Sequence, residues 1–180
     1  PLSAFQNELE QNCQRLLQDS GLDTASMIQK FAQSRDQWIR EDQQGWLNSH
    51  RFYPGSIAAL RKAMEQHEVR ILTTKQERFA QLLLQGQGID FPENKIWGLE
   101  AKRPKEDLLE EFIRNGAGDI CFVEDRLETL LRAVARPQLA RVRLYYALWG
   151  YGTEAEKQRA QANPAITCLE LAQFNQLLQA

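Results

Sequence analysis

Histidine and cysteine are scarce in this chain. Two histidines, His50 and His67, and three cysteines, Cys13, Cys121 and Cys168, are scattered over 180 residues with no CxxC or Cys/His ligand spacing. A zinc site or a Ser-His-Asp triad has almost no material to use, and the cysteines read as reduced thiols with no disulfide framework. Net charge is lacking as well: 22 basic side chains stand against 24 acidic ones, with a pI of about 5.8. No Lys/Arg stripe interleaved with aromatics stands out, which argues against a nucleic-acid partner. The longest apolar runs, such as LYYALW at 144–149, fall far short of the ~20 residues that span a bilayer, and no charged-then-apolar leader opens the chain. The sequence therefore reads as a soluble, cytoplasmic protein with no membrane partner, sized for one domain or a core domain with a small appendage.

What is present falls into two regions. Residues 1–50 are rich in Gln, Glu, Leu and Ala, and their apolar positions recur near helical spacing in LSAFQNELEQNCQRLL and again in MIQKFAQSRDQWIREDQQGWL, with a break at DSGLD. No strand signal occurs there. At RFYPGS the character changes, and SIAALRKAMEQH follows as an amphipathic helix with Ser56 as a candidate cap. From residue 69 onward strand and helix alternate: VRILTT, KQERFAQLLLQGQG, KIWGL, PKEDLLEEFIRN, ICFVE, RLETLLRAVAR, RVRLYYALW, TEAEKQRAQAN, AITCL and LAQFNQLLQ. Such alternation predicts an α/β fold with an open, mostly parallel sheet covered by helices on both faces. Ligands of such folds sit at the carboxyl ends of the strands.

Four strand ends carry polar chemistry. Thr73, Thr74 and Lys75 follow VRIL; the hydroxyls can bind an anion or cap the next helix. Lys102 and Lys105 lie near the start of the helix in EAKRPKEDLL, where a cation works against the helix dipole unless it faces a phosphate. Glu124 and Asp125 end a strand and precede a helix. Adjacent carboxylates repel, so the pair calls for solvent, a hydrogen-bonding neighbour or a cation, and helix capping is the competing account. Trp149, Gly150 and Tyr151, within LWGYG, form either a tight turn with packed rings or a lip over a substrate.

Strand then Thr, later Lys at a helix start, later a strand ending in an acidic pair: this order resembles the haloacid dehalogenase (HAD) superfamily of phosphohydrolases, in its phosphoglycolate-phosphatase-like branch. The resemblance covers residues 51–179. RFYPGSIAALRKAMEQHEVRILTTK is similar to the stretch leading to the second family motif, PKEDLL to the third and CFVEDRLETL to the fourth, and LYYALWGYGTEAEKQRAQANPAITCLEL is similar to the branch's carboxyl-terminal strands and Trp-Gly-Tyr loop. It implies a HAD-like Rossmannoid core over 51–180 and a partial helical cap over 1–50. It also implies a Mg2+-dependent phosphatase of a small phosphorylated metabolite. Thr73 and Lys105 would be catalytic, with Lys102 the alternative lysine; Thr74, Lys75, Trp149, Gly150 and Tyr151 would contact substrate, and Glu124 and Asp125 would hold Mg2+.

One part of the pattern is missing. The family opens on a strand ending in Asp-x-Asp, whose first aspartate is the nucleophile, and no such sequence follows an apolar run here; Asp90 and Asp119 are isolated. The chain opens in helix at Pro1, which fits a start inside the cap, so the first strand is expected to be absent. Three expectations follow: no covalent turnover by these residues, an exposed sheet edge, and self-association through it. Two other readings compete. One is a non-catalytic HAD-fold binding or scaffold protein; the other is a helical interaction module on residues 1–50, built around Trp38, Trp46 and Phe52. Arg35, Arg40 and His50 offer themselves as cap contacts, with nothing to rank them.

Overall fold

The computed structural model describes residues 9–179, and contact density divides the chain between Arg51 and Phe52. The first unit contains helices α1 (Leu9–Ser20) and α2 (Thr24–Asn48). The DSGLD break works through Asp23, which caps α2 by accepting the Ser26 N–H at 2.7 Å. Asp42 leaves helical geometry and kinks α2, its carboxylate accepting the Gly45 N–H at 2.8 Å. No helix among the described residues is long and apolar enough to cross a membrane.

The second unit is α/β. Its helices are α3 (Ser56–Gln66), α4 (Glu77–Gly86), α5 (Lys105–Arg114), α6 (Leu127–Val134), α7 (Glu154–Gln161) and α8 (Leu171–Leu177). Its strands are β1 (Ile71–Leu72), β2 (Ile96–Trp97), β3 (Cys121–Glu124), β4 (Arg143–Ala147) and β5 (Ile166–Leu169). All strand pairing is parallel, but one open sheet is not what forms. There are two sheets, β1-β2 and β3-β4-β5. The strands are also shorter than VRILTT and KIWGL suggest: only two residues on each find a ladder partner, Ile71 with Ile96 and Leu72 with Trp97. Past Leu72 the Thr73 N–H still reaches the Trp97 carbonyl at 2.9 Å, and the chain then turns as the Thr73 hydroxyl accepts the Lys75 N–H at 3.1 Å, which ends the ladder.

The main core fills the α5/α6 side of the three-stranded sheet with Leu108, Leu109, Phe112, Phe122, Leu127, Leu130 and Tyr146. A smaller cluster of Ala80, Leu84, Ile89, Phe91 and Ile96 lies under α3 and α4. Helix α5 touches both sheets. Its Phe112 ring lies 4.8 Å from Trp97 of β2 and under the Arg70 guanidinium at 4.1 Å, while its amino end reaches β3. Ser56 is not the cap of α3. Gly55 holds that position with a φ of 81°, and the Ser56 hydroxyl donates to the Tyr53 carbonyl at 2.8 Å. The sharp left-handed turn after Pro54 decides this, because only glycine adopts it cheaply.

Candidate functional site

The carboxyl end of β3 gathers the densest polar chemistry. Glu124 is its last residue, opposite Tyr146 of β4, and the strand's alternation turns its side chain inward, leaving it 3% exposed. Two donors meet that carboxylate. Lys105, the first residue of α5, places Nζ 2.5 Å from Oε2, and the Arg126 N–H donates to Oε1 at 3.1 Å. A carboxylate this deep needs such partners, and a lysine at a helix amino end, poorly used for the dipole alone, is well used here. Of the two candidate lysines, Lys105 is therefore the one at β3; Lys102 is exposed, at the end of a 3-10 turn with a φ of 49°.

Asp125 faces a different neighbour. Its Oδ2 accepts the Tyr151 N–H at 3.1 Å, which ties the β3–α6 turn to the loop after β4. Gly150 and Gly152 make that approach sterically feasible. A Cβ on Gly150 would overlap the Asp125 side chain, and one on Gly152 would overlap the Tyr146 hydroxyl and lie 3.4 Å from the Asp125 carbonyl oxygen. Asp125 forms no salt bridge among the described residues. Its charge reaches two phenols: burial first, then Tyr151 and Asp125, hold the Tyr53 hydroxyl above its ordinary pKa. Tyr146 is pushed up to about 12, by burial above all, then by Glu156, Asp125 and Cys168. Neither acidic residue is the helix cap that competed with metal binding as an account of the pair; the residue before α6 is Arg126, with no side-chain cap bond.

The other predicted residues divide between two loops. Thr73 donates its N–H to the Trp97 carbonyl at 2.9 Å, and its hydroxyl accepts the Lys75 N–H at 3.1 Å. It turns the chain after β1 and does not cap α4, whose cap position is Gln76. Thr74 is exposed, and the Lys75 carbonyl accepts the Leu99 N–H at 3.0 Å, binding the β1 and β2 exits together. Glu77 and Glu100 reinforce this, Glu77 by accepting the Gly98 N–H and Glu100 by accepting the Glu77 N–H, each at 3.0 Å. These bonds keep Thr73 with β1 and β2, while Lys105, Glu124 and Asp125 meet at β3. At the remaining loop, Trp149 packs its ring 5.1 Å from Phe174 and 6.3 Å from Tyr53, so the packed-ring reading describes it. Tyr151 is 75% exposed.

Two buried polar side chains escaped the sequence reading. Glu106 is 1% exposed, with Oε1 on the Arg132 guanidinium and Oε2 unpartnered. Tyr146 is fully buried, and its hydroxyl has no hydrogen-bond partner. The signal for Glu106 lay in its place at the head of an apolar helix face; for Tyr146 it lay in two glycines following a strand tyrosine.

Among the described residues no three metal-ligating side chains gather. Glu124 is committed to Lys105 and Arg126, which leaves Asp125, whose Oδ2 accepts the Tyr151 N–H, as the one carboxylate of the pair without a basic partner. A carboxylate oxygen is the donor type that a hard cation such as Mg2+ prefers, but Asp125 alone supplies fewer protein ligands than the pair in the sequence suggests. Comparison with protein-family models, with curated proteins and with solved structures gives no match. The functional reading therefore rests on the site's own chemistry.

Proposed function

We propose that residues 52–180 form a HAD-type phosphohydrolase core without its first strand, that the helical unit before it is part of a cap, and that the chemistry is Mg2+-dependent hydrolysis of a small phosphorylated metabolite. The observation that carries this is the Lys105–Glu124 pair at the carboxyl end of β3 with Asp125 beside it, since a lysine, a buried carboxylate and an open carboxylate at one strand end are what phosphoryl transfer uses. The division into β1-β2 and β3-β4-β5, with α5 reaching both, supports a central position for one further parallel strand.

In this reading Glu124 fixes the Lys105 ammonium at the strand end, where it offsets negative charge on a bound phosphoryl group. Asp125 would hold Mg2+, which when bound supplies further neutralisation of phosphate oxygens. Thr73 offers a hydroxyl from the neighbouring strand exit. In this reading none of these groups is the phosphoryl acceptor, because the family's acceptor aspartate lies in an Asp-x-Asp and no such sequence follows an apolar strand here. These residues therefore bind and position.

Turnover of an aryl phosphate in the presence of Mg2+ is the test. These 180 residues should give none, while phosphate or vanadate with Mg2+ should raise the melting temperature. Turnover that disappears in Asp125→Asn would overturn the claim that the acceptor is missing. The absence of Asp-x-Asp favours a second reading, a HAD-fold binding or scaffold protein; there, neither Mg2+ nor phosphate analogues would shift the melting temperature.

A further inference from the structure

Helix α2 carries an apolar stripe open to solvent. Ile28, Phe31 and Trp38 are 46%, 58% and 45% exposed. Their spacing of three and then seven residues sets them along one side of the helix, with Arg35, half-buried and already partnered, at the turn between the two rings. The helix is regular up to Glu41 and kinks at Asp42, so the stripe sits on its straight part. Among the described residues of α1 and α2 only Trp46, beyond the kink, is buried. A unit of two helices has too little interior to hide such a stripe, and association is the ordinary remedy.

The charges beside the stripe select the partner. Lys30 and Glu41 are exposed and form no ion pair among the described residues; Glu41 accepts only an amide N–H of Gln37, one turn earlier, at 2.9 Å. The interval from 30 to 41 is about three helical turns, so both charges lie on the same flank of the stripe, near its opposite ends. When two copies of a helix pack antiparallel about a two-fold axis, the same flank of each faces the other and opposite ends meet. Lys30 then meets the partner's Glu41, and by symmetry the contact occurs twice. Parallel packing would set like charges against each other. We propose that the Ile28, Phe31 and Trp38 stripe is a homodimer interface, in which α2 packs antiparallel on α2 of a second copy of this chain. Ile28 and Phe31 cover the partner's Trp38, and the Lys30–Glu41 pairs fix the direction; aromatic anchors with charges at the rim are the usual anatomy of such a contact. The inference concerns the helical unit alone and does not depend on the phosphohydrolase reading.

Sedimentation velocity of the full 180-residue chain over a concentration series is the test. The parent chain should pass from monomer to dimer, and Phe31→Ala and Trp38→Ala should each weaken the dimer by about tenfold or more. Lys30→Glu should weaken it by about threefold. Combining Lys30→Glu with Glu41→Lys should restore the parent affinity, because the two positions are too far apart to touch within one helix and can compensate only across the interface. That restoration also shows that the charge variants fold. Since α2 and β3 belong to different units, maleimide labelling of Cys121 should proceed equally in monomer and α2 dimer, which separates this contact from pairing along the sheet edge. A parent chain that stays monomeric, an association that survives both Phe31→Ala and Trp38→Ala unchanged, or a double charge variant that binds no better than Lys30→Glu overturns the inference.

Discussion

Glu124 is a buried carboxylate whose position is tolerable only because two donors reach it, and this makes Lys105 a structural residue as well as a candidate functional one. Lys105→Ala should destabilise the second unit by about 2–3 kcal/mol, somewhat under the cost of orphaning a fully buried charge because Lys105 itself is 20% exposed. Glu124→Gln should cost less, since its amide oxygen still accepts the Arg126 N–H. Urea denaturation of the two variants checks the order, and equal losses would show that the ion pair adds nothing beyond packing. Tyr146 provides a second residue-scale test. Its folded pKa of about 12 lies above the ordinary phenol value of 10, so the fold favours the protonated form. That contribution is complete below the ordinary value and is lost as pH rises through the folded one. Between pH 10 and 12 the parent chain should lose stability faster than Tyr146→Phe, as read from denaturation midpoints across that range. Gly152→Ala probes the same contact. Its new Cβ would overlap the Tyr146 hydroxyl, so the substitution should destabilise by about 1–3 kcal/mol, and much of that loss should be recovered in the double variant with Tyr146→Phe.

At the scale of elements, the sequence reveals kinds better than boundaries. The alternation after residue 69 yields helices and parallel strands because each segment carries its own periodicity, and α5 illustrates this with Leu108, Leu109 and Phe112 buried on one face and Glu106 and Asp107 in its first turn. Strand length is different, because a ladder needs a neighbour that periodicity cannot name. VRILTT has the composition of a six-residue strand and pairs over two residues. The polar cluster was partly legible for the same reason. Lys105, Glu124 and Asp125 sit next to strand or helix ends that the pattern locates, whereas Tyr146 and Gly152 meet through a loop whose path no local signal describes. The cap of α2 offers a test at this scale. The Asp23 carboxyl is held below its ordinary pKa by the Ser26 N–H, then by the Ser26 side chain, so its contribution is present at neutral pH and disappears as pH falls through the lowered value. Amide exchange in the first turn of α2 should therefore quicken on acidification in the parent chain and show little further pH effect, beyond intrinsic exchange, in Asp23→Ala.

At the scale of the whole molecule, the division of parallel strands into a pair and a triplet leaves β1 and β3 each with one ladder partner. The Arg143 N–H donates to the Ile120 carbonyl, and the parallel ladder then alternates, so the main-chain groups of Cys121 and Val123 point away from β4. Unpaired groups on a parallel edge invite another strand, and a second copy of the chain is the partner always at hand in a concentrated solution. Size-exclusion chromatography should accordingly show an apparent mass that rises with concentration. Cys121 allows the contact to be located, because it is exposed at the first residue of β3 while Cys13, exposed on α1, lies in the other unit. If copies meet along β3, maleimide labelling of Cys121 should slow as concentration rises while that of Cys13 stays constant. A monomer at all concentrations, with both thiols labelled at constant rates, would mean that side chains around the β3 edge already exclude another strand.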